Sequence, residues 1–303
     1  FDANWVAPLG PNVNGFEADL QTYLAQEVYV GALSSGTAAL HLGLILLNVQ
    51  PNDEVICQSM TFSASANPIR YLGAVPVFID SEAVTWNLCP LALEEAIKDR
   101  IAKGTKPKAI VAVHLYGMPY QVDAVRAVAQ KYDIPILEDS AEALGSTYKG
   151  KKCGTFGTIG VLSFNGNKII TSGGGGAITT NNIKLGERAK FLTTTAKQPH
   201  PFEYIHNELG YNFRMPNLNA ALACAQLEQL ELYLDNKRNL ALSYKKFFSN
   251  KGIKFRTETK NTKANYWLMC VELENSKERD LFLESTNSNN VMTRPIWKAM
   301  DFL

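Results

Sequence analysis

The sequence lacks the patterns that mark a metal or disulfide protein. Its five cysteines, Cys57, Cys89, Cys153, Cys224 and Cys270, are odd in number, scattered and without a C-x-x-C pair. No disulfide framework is expected, and the thiols read as reduced and mostly buried. The four histidines, His41, His114, His200 and His206, show no H-E-x-x-H or comparable spacing, so no metal is expected. An excess of one charge is missing too. Thirty basic residues stand against 29 acidic ones, for a net charge of +1, and no basic tract occurs. That removes the electrostatic basis for binding nucleic acid or a membrane surface. No apolar run reaches the length of a membrane span, and the opening FDANWVAPLGPN has neither the charged start nor the apolar core of a signal peptide. The cytoplasm is the expected compartment. Internal repeats and low-complexity tracts are absent.

What is present is a chain of 303 residues, 46% hydrophobic, long enough for a full core and a second, smaller domain. From residue 28 to about 180, short β-rich runs alternate with stretches of helical length: EVYVGAL and TAALHLGLILL, DEVICQ and SASANPIRYL, AVPVFID and LALEEAIKDRIAK, KAIVAVHLYG and VDAVRAVAQKY, then IPILEDS. This alternation predicts an α/β fold with a mostly parallel sheet and helices on both faces. Ligands of such sheets bind at the carboxyl ends of the strands. After residue 215 the helical periodicity of NLNAALACAQLEQLELYLDNKRNLALSYKKFFSNKG predicts one long helix ending at Gly252 and linking two domains. Beyond it, IKFRTE and YWLMCVELE read as strands and SKERDLFLEST as a helix, the outline of a small α+β domain. The expected division is 1–215 for the large domain and 216–303 for the linking helix and an incomplete small domain.

Three stretches carry chemistry. SFNGNKIITSGGGG, residues 163–176, sets Lys168 before four consecutive glycines. Such a run costs conformational entropy unless positive φ or a close backbone approach is needed; the plain alternative is a surface loop with a solvated lysine. LSSGTAALHL, residues 33–42, ends a strand in small residues and opens a helix, an arrangement that aims amides and a positive dipole end at an anion. It matches neither G-x-G-x-x-G nor G-x-x-x-x-G-K-[ST], which disfavours dinucleotides and nucleoside triphosphates, and an ordinary Ser/Thr cap is the alternative. IPILEDSAEALGS puts Glu138 and Asp139 where an apolar strand stops; a structural ion pair would explain one acid there equally well. A lysine amine, a phosphate cup and a strand-end carboxylate together are the parts that a pyridoxal phosphate (PLP) site needs. The lysine forms a Schiff base, and an aspartate keeps the pyridine nitrogen protonated so that the ring acts as an electron sink.

Nearly the whole chain resembles the DegT-type family of PLP-dependent sugar-nucleotide aminotransferases, a branch of the aspartate aminotransferase fold (PLP fold type I). The resemblance lies in SSGTAALHL, TFSASANPI, PVFID, HLYGMP, EDSAEALGS, GTFGTIGVLSFNGNKIITSGGGG and GYNFRMPNLNAALACAQLE, in the family's order. It implies that Lys168 is the Schiff-base lysine and Asp139 the partner of the pyridine nitrogen. Glu142 would sit near the phenolic oxygen, where many members carry Gln. Phe62 would stack on the ring, although it also suits a core position. Gly36, Thr37 and Ser163 would hold the phosphate, and Asn212 would reach the phosphate in a neighbouring subunit's site, implying an obligate homodimer with shared active sites. Arg214 is open between a substrate contact and a structural salt bridge. The resemblance also places both chain ends inside the family's usual boundaries, short of an N-terminal helix and of the end of the small domain.

A 3-dehydrase branch of the family has His at the lysine position, so Lys168 points to amino transfer. NWVAPLGPNVNGFE, GNKIITSGGGG and TRPIWKAM are most similar to enzymes that aminate C4 of a UDP-linked 2-acetamido-2,6-dideoxy-4-keto-hexose for surface glycans, with L-glutamate as donor. On that resemblance Trp267, Arg294, Trp297 and Lys298 are candidate contacts for the nucleotide or its diphosphate, packing and solvated surface being the alternatives. Another PLP reaction on a sugar nucleotide, or a PLP-binding regulator without turnover, are the rival functions.

Overall fold

The computed structural model describes residues 4–25 and 27–300. Along the chain run α1 (Pro11–Leu24), β1 (Tyr29–Leu33), α2 (Gly36–Leu46), β2 (Glu54–Gln58), α3 (Asn67–Tyr71), β3 (Val75–Ile79), α4 (Pro90–Ala102), β4 (Ala109–Val113), α5 (Val122–Lys131) and β5 (Ile136–Asp139). They are followed by β6 (Thr147–Tyr148), β7 (Lys151–Lys152), β8 (Ile159–Ser163), β9 (Gly176–Thr180), α6 (Ile183–Thr193), α7 (Asn217–Glu228) and α8 (Leu230–Ser249). Last come β10 (Lys254–Phe255), β11 (Thr262–Lys263), β12 (Val271–Glu272) and α9 (Ser276–Ser288). The βα alternation is the one that the sequence predicts, and α1 precedes it.

The central sheet has the order β1-β9-β8-β5-β4-β2-β3. Pairs β3–β2, β2–β4, β4–β5 and β5–β8 are parallel, and β9 runs antiparallel to both its neighbours. Successive side chains on a strand face opposite ways, and both faces are covered. Val55, Cys57, Val111, Val113, Leu137, Ile159 and Val161 pack with residues of α2, α3 and α6. Ile56, Ile110, Ala112 and Ile136, one position out of phase, pack with α4 and α5. Burial on both sides is why these strands read as continuous apolar runs. On the same side as α4 and α5, Val30, Ala32, Leu162 and Ala177 meet α1, α7 and α8.

The structure corrects two expectations about the C-terminal third. The long helix is two helices, α7 and α8, meeting at Gln229 (φ −99°, ψ 0°), where the helical run is interrupted. Just past the break, Leu230 and Leu234 pack in the cluster formed with α1 and Leu144. The segments IKFRTE and YWLMCVELE pair over only two residues each, Lys254–Phe255 with Val271–Glu272. The stretch around Trp267 is irregular instead and packs into an aromatic cluster with Leu115 and Tyr116. The C-terminal segment is also tied back to the earlier chain, because β11 pairs with β6.

Candidate active site

The carboxyl ends of β4, β5 and β8 and the amino end of α2 surround a cavity of about 280 Å³. Its lining includes Gly36, Thr37, Phe62, Asp139, Glu142, Ser163, Lys168, Trp267 and Trp297, so nine of the residues singled out in the sequence meet in one place. Four others stand outside it. Asn212 is exposed and bridges to Thr194. Arg294 and Lys298 are exposed near the C-terminal end of the described chain. Arg214 is buried, and its Nη2 donates to Glu17 Oε1 at 2.6 Å. Of the two readings open for Arg214, the geometry provides the ion pair, which ties the segment leading into α7 to α1.

The amino end of α2 is shaped as an anion site. Ser35 caps it, its Oγ accepting from the Ala38 amide at 3.0 Å. The first helical amides, Gly36 and Thr37, have no carbonyl partner within the helix and face the cavity. Glycine at 36 is a steric requirement, since a Cβ there would lie 2.9 Å from Ser163 Cβ. The glycine run serves the same construction. Gly173 has φ +79°, and a Cβ on Gly176 would run into the Ser35–Gly36 backbone. Gly174 and Gly175 line the cavity.

The two acids of β5 part company because they are neighbours on a strand. Asp139 faces the cavity side. Its Oδ2 accepts from Ser65 Oγ at 2.7 Å and its Oδ1 from the Ala141 amide at 3.1 Å, while Thr61 Oγ1 lies 2.8 Å from Ser65 Oγ. Glu138 points to the other face. It accepts from His114 Nε2 at 2.8 Å, from the amides of Gly154, Phe156 and Gly157 at 2.6, 2.6 and 2.8 Å, and from Ser140 Oγ at 3.2 Å. Burial opposes its charge, yet His114 and these amides hold its carboxyl below the usual value. His114, Glu138 and Cys153 bring potential metal-ligand atoms together. The carboxylate is already saturated, however, and His114 Nδ1 accepts from the Tyr120 amide at 3.2 Å. The group is hydrogen-bonded scaffolding behind the site.

Lys168 enters from the loop between β8 and β9. Burial pushes its amine below the usual lysine value, and the charges of Glu142 and Asp139 oppose that. Glu142 Oε1 is 3.7 Å from Lys168 Nζ, and its Oε2 accepts from the Tyr116 amide at 2.6 Å. Burial raises the Glu142 carboxyl to about 7, against the pull of Lys168 and of that amide. At the mouth Phe62 is 54% exposed, which places it at the opening and not in the core. Its ring is 5.5 Å from that of Trp297.

Sequence reasoning missed Ser65 and Thr61, although both lie in the TFSASANPI stretch: Ser65 Oγ reaches Asp139, and Thr61 Oγ1 pairs with Ser65 Oγ. It also missed Tyr116, whose amide donates to the Glu142 carboxyl, and Asn265, whose Nδ2 donates to the Glu142 carbonyl. Asn265 carried no local signal, being 123 residues from its partner.

A cradle that admits no Cβ, two helix-end amides, a buried amine and a hydrogen-bonded carboxylate fit pyridoxal phosphate. Comparisons with known proteins agree. The DegT/DnrJ/EryC1/StrS aminotransferase family model matches residues 1–302. EpsN of Bacillus subtilis (strain 168) is 44% identical over 301 residues, covering 99% of this chain and 77% of its own. GDP-perosamine synthase of Escherichia coli O157:H7 is 36% identical, covering 98% and 79%. UDP-2-acetamido-2-deoxy-3-oxo-D-glucuronate aminotransferase of Pseudomonas aeruginosa is 33% identical, covering 95% and 78%. Among solved structures, Spr1654 of Streptococcus pneumoniae in its PLP-form superposes with a TM-score of 0.91 at 28% identity, covering 99% of this chain and 80% of that one. With a cavity built for pyridoxal phosphate and sequence similarity along its length, the chain belongs to the DegT/DnrJ/EryC1/StrS family of PLP-dependent sugar aminotransferases.

Proposed function

We propose that the protein moves an amino group from L-glutamate to C4 of a nucleotide-linked 4-keto-6-deoxy sugar, with UDP-2-acetamido-2,6-dideoxy-4-keto-hexose as the substrate, in surface glycan synthesis in the cytoplasm. The observation that carries the reading is the convergence of Lys168, Asp139 and the amino end of α2 on one cavity with an open aromatic mouth. When bound, pyridoxal phosphate supplies an electron sink for the substrate's bonding electrons.

The chain's residues do the rest. Gly36, Thr37 and Ser163 would hold the phosphate, and Phe62 would cover one ring face. Asp139, fixed by Ser65 and the Ala141 amide, would hold a proton at the pyridine nitrogen. Glu142 would lie on the phenolic-oxygen side, neutral over part of the working range because burial raises its carboxyl to about 7. Lys168 Nζ, once free, carries a proton to and from the substrate carbon as base and then acid. Arg294, Lys298 and Trp297 belong to the nucleotide side of the mouth.

The division at residues 215 and 216, and a homodimer in which Asn212 serves the partner's site, belong to the same proposal; Asn212 is exposed as an interface residue must be before assembly. Lys168→Ala and Asn212→Asp chains, each inactive, should regain about a quarter of wild-type activity when refolded as a mixture, since each mixed dimer holds one intact site. Activity no higher than the parents' average, with mixed dimers present, would remove the shared site.

The substrate test is incubation with PLP, L-glutamate and a panel of UDP-, GDP- and dTDP-linked 4-keto-6-deoxy sugars and a 3-keto sugar, read by mass. A one-amine product from the UDP 4-keto sugar in preference to the others is expected. Preference for another base or for the 3-keto sugar would replace the fine assignment.

A further inference from the structure

The amine of Lys168 is held from two sides. Its Nζ lies 4.1 Å from the centre of the Trp267 ring and 3.7 Å from Glu142 Oε1. Trp267 is itself fixed. Its Nε1 donates to the Asn167 carbonyl at 2.6 Å, its amide donates to Asn265 Oδ1 at 2.9 Å, and its carbonyl accepts from Lys237 Nζ at 3.2 Å. Asn265, fully buried, donates from Nδ2 to the carbonyls of Glu142 and Leu144 at 2.8 and 2.9 Å, and its amide donates to Ser146 Oγ at 2.9 Å. The C-terminal segment is therefore pinned to the turn that carries Glu142, and indole and carboxylate close on one ammonium. Trp267 is only 6% exposed and its one side-chain donor is already used, so it has no hydrogen bond to offer a diphosphate or a sugar hydroxyl.

We propose that Trp267 is a positioning residue for Lys168 and no nucleotide contact: with Glu142 it forms a cage that holds the ε-ammonium at the cavity floor whenever the lysine is not covalently engaged. This rests on the reading of Lys168 as the cofactor lysine. A cation over an indole face is attracted by the ring quadrupole, most strongly where water is excluded. Burial alone would favour the neutral amine. The cage keeps the charged form available after Lys168 has accepted a proton, and fixing Nζ in one place reduces the ordering that proton transfer requires. Besides Glu142, Asp139 acts on the amine from the end of β5. Tyr116 and Cys270 share the aromatic cluster with Trp267, and Lys237 lies at the Trp267 carbonyl.

The test uses full-length protein loaded with pyridoxamine phosphate, the form in which Lys168 is free. Competitive acetylation across pH, read at the Lys168 peptide by mass, gives the pKa of that amine. Trp267→Leu should lower it by about one unit, the size of a desolvated cation–π contact, and Trp267→Phe by less, because a ring face remains. Trp297→Leu should leave it in place. A rise or no change with Trp267→Leu would overturn the proposal, since water entering a vacated wall raises a lysine pKa. Should the leucine variant not fold, Trp267→Phe decides by its kinetics. A several-fold fall in kcat with KM for the keto sugar held supports positioning, whereas a raised KM with kcat held makes Trp267 a substrate contact. Failure of the underlying reading looks different: borohydride would still fix the cofactor to another lysine in Lys168→Ala, while the Trp267 effect on the Lys168 pKa would stand.

Discussion

The floor and the mouth of the cavity are built by different means. Floor residues are delivered by strand ends and a helix start: Asp139 closes β5, Ser163 closes β8, and Gly36 opens α2. Asp139 is 4% and Ser163 9% exposed and Gly36 is buried, and Asp139 has a partner on each oxygen. The mouth is made by Phe62 and Trp297, exposed and half-buried, on segments without regular structure. A floor fixed by the sheet suits a cofactor that every turnover needs in one place. A mouth on irregular segments can change with the substrate at little cost to the core. Substitutions should therefore damage chemistry at the floor and recognition at the mouth.

The largest break should come from Lys168→Ala, which removes the only lysine lining the cavity among the described residues. Turnover should fall by about 10⁴-fold or more, and borohydride should no longer fix the cofactor to the chain; retained turnover would dissolve the distinction. Asp139→Asn should keep the cofactor bound and lower turnover by about 10³-fold, because a neutral amide cannot stabilise a protonated ring nitrogen. Absorbance titration and steady-state rates separate the two effects, and near wild-type rates would show that the carboxylate is not used. Gly36→Ala should act on binding, since its Cβ would lie 2.9 Å from Ser163 Cβ. A cofactor Kd raised by about tenfold is expected, as a shifted amide loses part of a charge-assisted hydrogen bond.

The smallest effect sharpens the floor's electrostatics. The Glu142 carboxyl is raised from 4.5 to about 7 in the folded protein. Its contribution to stability is thus fully present below pH 4.5 and lost as pH rises through about 7. Relative to wild type, cofactor-free Glu142→Gln should gain about 3 kcal/mol of unfolding free energy across that window. Urea melts at a series of pH values measure it, and a difference that stays flat would mean that Glu142 is ionised throughout.

Much of this was legible along the chain. Strands β2, β4 and β5 announced themselves as short apolar runs because both faces of the sheet are covered. The helix α2 announced itself by a small-residue turn that suits an anion. Asp139 and Gly36 were legible because each sits at the end of a regular element, where local pattern predicts position, and Lys168 because it stands in the loop beside the glycine run. The break at Gln229 was not, since α7 and α8 carry one continuous helical pattern. Nor was the difference between Glu138 and Asp139 in partners, which depends on which sheet face carries the cavity.

The sequence by itself determined the βα alternation, the strand-end placement of Glu138 and Asp139, and the glycines beside Lys168 that admit a close approach, because these follow from local periodicity and backbone sterics. Only the tertiary structure decided that Arg214 pairs with Glu17, that Ser65 holds Asp139, that Glu142 is buried enough to titrate near 7, and that Trp267 lies over Lys168. Those contacts join residues 74 to 197 positions apart in the first two cases and 99 in the last, and burial and pairing over such separations arise only when the chain has packed.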